Sequence, residues 1–216
     1  MWVTKDAVNM YLYKVFGPHL GLLYVRQDLH KHLENQSLSH LPDLYDAYQD
    51  RPGAPNYLRI ALNPGLVNHE AAAACVGVAD YFNTLHVHHG EKSDVTFNVK
   101  VKHCFQLMSE HESCLSEQWM DWIRTQSKLS LIGPETSDPA LRSPNWSFRV
   151  TGKTPQEIAQ SLAEKDVAVQ AGCFYAWRCL QALNINPDSG VLRISFAHFN
   201  SSDEVEILCH ALDACL

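Results

Sequence analysis

The chain has no excess of positive charge: 17 Lys and Arg stand against 24 Asp and Glu, a net charge of −7 with the histidines neutral. A nucleic-acid binder working through a basic footprint is excluded, because phosphate neutralisation needs Lys and Arg in surplus. Long hydrophobic runs are also missing. The apolar N-terminal stretch from Ala7 to Val25 is broken by Lys14, Gly17, Pro18, His19 and Gly21 before it reaches membrane-spanning length, and no small-residue cleavage site follows it. The seven cysteines never form a C-x-x-C pair and are odd in number, which fits neither a disulfide framework nor a zinc ribbon. Core thiols in a soluble, cytoplasmic protein are expected. Repeats and low-complexity tracts are absent too. What the 216 residues do hold is apolar material, 46% of the chain, ample for a packed core.

The element pattern changes along the chain. Residues 8–16 and 20–26 are rich in aromatic and β-branched residues around Gly17-Pro18-His19 and predict two strands joined by a turn. Residues 27–56 are polar and turn-rich, as a surface excursion would be, and Asn63-Pro64-Gly65 forms a second break. Asn68 then caps an Ala-rich segment that predicts a buried helix ending at His86–Gly90. A longer helix is predicted over 96–125, with Val99, Phe105, Met108, Leu115, Trp119 and Trp122 on its apolar stripe. Beyond it the chain alternates: strands at 129–133, 146–150, 166–171 and 191–196, and helices at 155–164, 174–184 and 202–215. This second half reads as a compact α/β sandwich with helices on one side of a small sheet. The first half does not make a layered domain by itself, since two isolated strands are marginal in water.

Two charged residues sit inside apolar runs. Lys14 lies in Tyr11-Leu12-Tyr13-Lys14-Val15-Phe16, where alternation puts it on the face of Leu12 and Phe16. One reading is an edge-strand lysine snorkelling to water; the other is a desolvated amine that attacks a carbonyl to form a Schiff base. Arg193 lies in Val191-Leu192-Arg193-Ile194-Ser195, where it either closes an internal salt bridge or clamps a carboxylate with two parallel hydrogen bonds. The histidines His86, His88 and His89 have no Cys, Asp or Glu at a metal-site spacing, so no metal is expected. His111-Glu112 lacks the second histidine of a zincin motif, since position 115 is Leu. Phe105, Trp119 and Trp122 are expected in the core or at an interface with the missing half.

The segments DVAVQAGCFYAWRCL and GVLRISFAHFNSSDEVEILCHAL (from Asp166 onward), together with Tyr-Lys-Val-Phe-Gly-Pro-His-Leu-Gly at 13–21, resemble class V aminotransferases, in particular the cysteine-desulfurase-like group. The resemblance runs in register from about residue 8 to 216. It implies a fold-type-I α/β protein using pyridoxal 5′-phosphate: residues 1–90 a remnant of the large domain with part of its sheet, and residues 91–216 the small C-terminal domain. Lys14 would be the amine that carries the cofactor, and Arg193 would hold the α-carboxylate of an amino-acid substrate. Tyr13 would contact the cofactor, and Asn68 or His69 its phosphate, because the family's Gly-Thr at that place is Gly65-Leu66. Other departures argue against persulfide chemistry: the desulfurase cysteine position is Tyr175, with Cys173 offset by two, and Gln170, Tyr11 and Tyr13 replace the family's Arg, Ser and His. In the family the phosphate turn, the stacking ring and the Asp on the pyridine nitrogen all precede the lysine, and only 13 residues precede Lys14. The expectation is therefore the back half of an enzyme that is a homodimer when complete and poorly active as given. The competing reading is a non-catalytic binding or interaction module built on the same fold.

Overall fold

The computed structural model describes residues 7–33, 36, 62, 67–90 and 94–216. The predicted break at Asn63-Pro64-Gly65, the Gly65-Leu66 pair and most of the predicted 27–56 excursion lie outside these residues. The chain divides into two compact units, Met1–Lys100 and Val101–Leu216.

In the first unit, β1 (Ala7–Tyr11) and β2 (Gly21–Val25) pair antiparallel, with Tyr11 opposite Gly21. The prediction of a strand through Phe16 is corrected here. Leu12–Val15 form a 3-10 turn that ends on Phe16 in the left-handed region (φ 66°), and the Gly17 N–H donates to the Leu12 carbonyl oxygen at 2.8 Å. A turn of three residues per revolution breaks the two-residue alternation, so Leu12 is buried while Lys14 and Phe16 are exposed. Gln27–His32 form a second 3-10 turn.

Helix α1 (His69–His88) starts as predicted, with the Asn68 Oδ1 accepting from the Ala71 N–H at 2.9 Å. It is not the buried helix that the sequence suggests: Phe82 and His86 are its buried residues, and Val76 and Val87 stand exposed. A helix apolar on all sides normally lies inside a larger body.

Helix α2 (Phe97–Arg124) runs from the first unit into the second. The second unit continues with β3 (Leu129–Ile132), β4 (Asn145–Val150), α3 (Pro155–Ala163), β5 (Gln170–Gly172), α4 (Trp177–Ala182), β6 (Val191–Ser195) and α5 (Ser202–Asp213). Its strands form one antiparallel sheet in the order β3-β4-β6-β5. Two starts are fixed by reciprocal capping boxes, Thr154 with Glu157 and Ser201 with Glu204, each satisfying two backbone donors that a helix leaves free. The Glu157 and Glu204 carboxyls are held below the usual range chiefly by these backbone hydrogen bonds. The predicted strand at 166–171 shrinks to three residues because Asp166 takes a left-handed φ of 60° to end the α3 corner.

One face of the sheet carries the core. Trp146, Phe148 and Val150 of β4 and Leu192 and Ile194 of β6 pack beneath Leu115, Trp119, Met120 and Ile123 of α2, Ile158 and Leu162 of α3, and Val205, Leu208 and Leu212 of α5. The stripe predicted on α2 is partly corrected: Val99 and Phe105 are exposed, and Cys104, Ser116, Met120 and Ile123 are buried instead. The opposite face holds a smaller cluster of Leu180, Ile185 and Val191, with Ile132, Cys173 and Phe174 against it, so the helices are not all on one side. None of the seven cysteines is in a disulfide; Cys104, Cys209 and Cys215 are buried, and Cys114 and Cys179 are exposed. Burial, reinforced by Asp213 and Glu206, pushes the Cys209 thiol up to about 12, which makes it an inert part of the core.

Candidate active site

The candidate residues fall in both units, and each group has its own local frame. Lys14 is exposed on the 3-10 turn, and among the described residues it has no hydrogen bond or ion pair. Its turn is held hard against α1. A methyl group on Gly17 would come within 2.8 Å of Val78 Cγ2 and 2.9 Å of the Leu12 carbonyl oxygen, and the Phe16 ring lies 5.0 Å from that of Tyr81. Only glycine permits this approach. Tyr13 is exposed beside Lys14 and stacks on His19 at 5.0 Å, with Tyr11 at 5.8 Å. The result is an exposed primary amine on a fixed backbone, next in sequence to the stacked ring of Tyr13.

Asn68 and His69 sit at the N-terminus of α1. The Asn68 amide oxygen is occupied by the helix cap, which leaves its amide nitrogen as the available donor. Ten residues separate Asn68 from Val78, about 15 Å along the helix axis, so the pair stands well away from the place where the lysine turn packs.

Arg193 belongs to β6, which like β4 is hydrogen-bonded on both sides. The register aligns Ile132, Ser147, Arg193 and Gln170 in one row across all four strands, on the face away from the main core. Its Nη2 donates to Gln170 Oε1 at 3.0 Å, and its Cζ lies 4.1 Å from the centroid of the Phe174 ring. The internal salt bridge considered for it is not found: among the described residues no carboxylate pairs with Arg193. A guanidinium has five N–H donors, so the bond to Gln170 leaves the others for a ligand.

The loop after β5 explains how Phe174 reaches the guanidinium. Phe174 and Tyr175 are consecutive non-glycine residues in the left-handed region, at φ 51° and 60°, and such residues cost about 1–3 kcal/mol each. Gly190 (φ 64°) backs directly onto Gly172, so that an added Cβ would lie 2.4 Å from the Gly172 carbonyl carbon. Gly190→Ala is expected to destabilise the second unit by about 1–3 kcal/mol, because backbone faces the new methyl and cannot step aside. A lower urea midpoint measures it; an unchanged midpoint means the two glycines do not lock this corner. Sequence reasoning did not single out Phe174 as a partner of Arg193, nor Gln170. Gln170 was legible only as a departure from the family pattern, and nothing in the local sequence of Phe174 gives its backbone conformation.

A further set of polar contacts in the second unit links its elements. His111 Nε2 lies 2.7 Å from the Asn200 carbonyl oxygen, to which a protonated ring nitrogen donates, and Glu112 lies 4.0 Å from His198. Burial pushes the Glu112 carboxyl up and the His198 imidazole down. Together they tie α2 to the turn between β6 and α5. Among the described residues no cluster of His, Cys, Asp or Glu could hold a metal, and no helix is long and apolar enough to cross a membrane.

The model of the family "Aminotransferase class-V" matches residues 97–208, more than half of the chain. The chain belongs to the class V aminotransferase family. This class V chain is 25% identical over 205 residues to the aminotransferase-like protein FGM3 of Gibberella zeae, covering 94% of this chain and 44% of that protein. It is 22% identical over 204 residues to the cysteine desulfurase-like protein ustD of Aspergillus flavus, covering 93% and 40%. Among solved structures, the apo cysteine desulfurase of Thermococcus onnurineus NA1 matches with a TM-score of 0.70 at 17% identity, over 97% of this chain and 46% of that one. The mixed α/β fold of the cysteine desulfurases is thereby shown. The class V chain spans less than half the length of the curated relatives it matches. Members of the family depend on pyridoxal 5′-phosphate. The segment matched by the family model begins after Lys14.

Proposed function

We propose that this chain contributes the cofactor lysine and the substrate-carboxylate clamp of a pyridoxal-phosphate-dependent enzyme acting on an amino acid. The observation that carries the reading is Arg193, a half-buried guanidinium on a doubly paired strand with no acidic partner among the described residues. Charges taken out of water are normally paired, and a bidentate carboxylate is the ligand that its planar fork fits. Lys14, a free amine on a braced turn, fits the aldehyde of the cofactor. When bound, the cofactor supplies an electron sink for charge developing at the substrate Cα. Lys14 would hold it, and its amine would move the proton at the substrate Cα. Tyr13 would border the cofactor, and Asn68 or His69 at the α1 N-terminus, where a helix favours an anion, would hold its phosphate in a homodimer. On this reading residues 1–90 belong to the large domain and 91–216 form the small one, in a cytoplasmic protein.

Lys14 should be the preferred site of cofactor attachment even where affinity is weak. The test is to incubate the chain with pyridoxal 5′-phosphate, reduce with borohydride and map the labelled peptides. Label concentrated on Lys14, and lost in Lys14→Ala, is the expected result. Equal labelling of Lys14 and the exposed lysines Lys102, Lys128 and Lys165 would remove Lys14 from the site and favour the non-catalytic module.

A further inference from the structure

We infer that Phe174 and Gln170 are positioning residues that hold the Arg193 guanidinium in place for a carboxylate, an inference that rests on the clamp reading of Arg193. Three observations converge on it. The Phe174 ring covers one face of the guanidinium, with Cζ 4.1 Å from its centroid, and so fixes the plane of the fork. Gln170, its neighbour across the β5-β6 register, accepts one N–H at 3.0 Å and so fixes rotation within that plane. The loop that delivers the ring is held in an unfavourable conformation that packing of its own tip does not explain: Tyr175, the second left-handed residue, is fully exposed. What that conformation achieves is the placement of Phe174, whose ring is anchored against the Leu180, Ile185 and Val191 cluster on one side and lies on Arg193 on the other.

The chemistry of the two partners suits a clamp that must stay open. Both are neutral, so they orient the guanidinium without cancelling its charge. An aromatic face attracts a cation and cannot take its N–H edge, and an amide oxygen accepts one hydrogen while leaving an adjacent pair free for two parallel bonds to a ligand. A carboxylate at position 170 would instead occupy the fork. The order this imposes on the long arginine side chain is entropy that a ligand then need not remove.

The experiment follows the arginine Nε–H signals of the ¹⁵N-arginine-labelled chain by NMR, with acetate as the carboxylate probe and Arg193→Ala to assign the signal. The exposed Arg124 and Arg149 serve as internal controls. In the unmodified chain the Arg193 signal should be displaced by the Phe174 ring current, exchange slowly with water, and shift saturably with acetate while those of Arg124 and Arg149 stay in place. Phe174→Leu should abolish the displacement, speed exchange and weaken acetate binding roughly threefold to tenfold, and Phe174→Tyr should restore all three. Gln170→Glu should lower the acetate response more than tenfold by filling the site. Acetate binding that is intact and equal in Phe174→Leu and Gln170→Glu overturns the positioning roles while leaving Arg193 as the clamp. An Arg193 signal that acetate at any concentration moves no further than it moves those of Arg124 and Arg149 overturns the clamp reading, and the positioning roles with it.

Discussion

Trp119→Ala is expected to cost the second unit about 3–5 kcal/mol, a large share of the stability of any domain this size. Trp119 is fully buried, and its ring meets those of Trp122 at 5.0 Å, Phe196 at 6.0 Å, Phe148 at 6.1 Å and Trp146 at 6.3 Å. It therefore joins α2 to both central strands, and removing it leaves a cavity lined by rings whose positions are fixed by the sheet. One term opposes this loss. The Trp119 Nε1 finds no acceptor among the described residues, and a buried donor without a partner costs about 1–3 kcal/mol. Trp119→Phe keeps an aromatic ring and sheds the orphan donor, so its effect should stay within about 1 kcal/mol of zero as the two terms offset. Urea denaturation followed by far-UV circular dichroism measures both variants. Equal losses for Ala and Phe would show that the indole nitrogen has a role this packing does not reveal.

On the function proposed above, removing Arg193 should be as severe for binding as removing Trp119 is for folding. With the cofactor bound, Arg193→Ala is expected to weaken amino-acid binding by about 2–5 kcal/mol, roughly 30-fold to 4,000-fold in the half-saturating concentration. The loss combines the two hydrogen bonds to the substrate with the stranding of its carboxylate. Arg193→Lys keeps the charge but loses the planar fork, so it should recover only part of the affinity. The spectral change of the cofactor on adding amino acid gives the concentration dependence, and the urea midpoint shows whether the fold survives. An unchanged half-saturation with an intact midpoint would take Arg193 out of the site.

The sequence was most readable where local chemistry decides the outcome. Asn68, the Thr154–Glu157 pair and the Pro155 that follows mark helix starts through hydrogen bonds made within one turn, and the structure has them in place. The strands at 146–150 and 191–196 were equally visible. Errors arose where one residue leaves the period. Phe16 and Asp166 take left-handed conformations that end a run the hydrophobic pattern would continue, and for non-glycine residues composition gives little warning of that. On α2 the pattern placed Phe105 inward because it is large and apolar, whereas the helix turns Cys104 and Met108 to the core. The site was legible as single residues and not as a constellation. Arg193 stands out as a charge in an apolar strand, but its pairing with Gln170 depends on the register between β5 and β6, which α4 separates in the chain, and its stacking on Phe174 on two backbone angles.

The central place of β6 in the sheet has a consequence for how the two candidate groups come loose. Arg193 is carried on a strand bonded to β4 on one side and β5 on the other, with fully buried core residues at its flanks. Its amide should exchange with deuterium only when the whole second unit opens. Lys14 is carried on a two-stranded ribbon whose residues are largely exposed, and the amides there should exchange through local fraying. Arg193, the proposed clamp, is thus as durable as the domain itself, whereas the ribbon that carries Lys14, the proposed cofactor lysine, depends for its persistence on whatever packs around it.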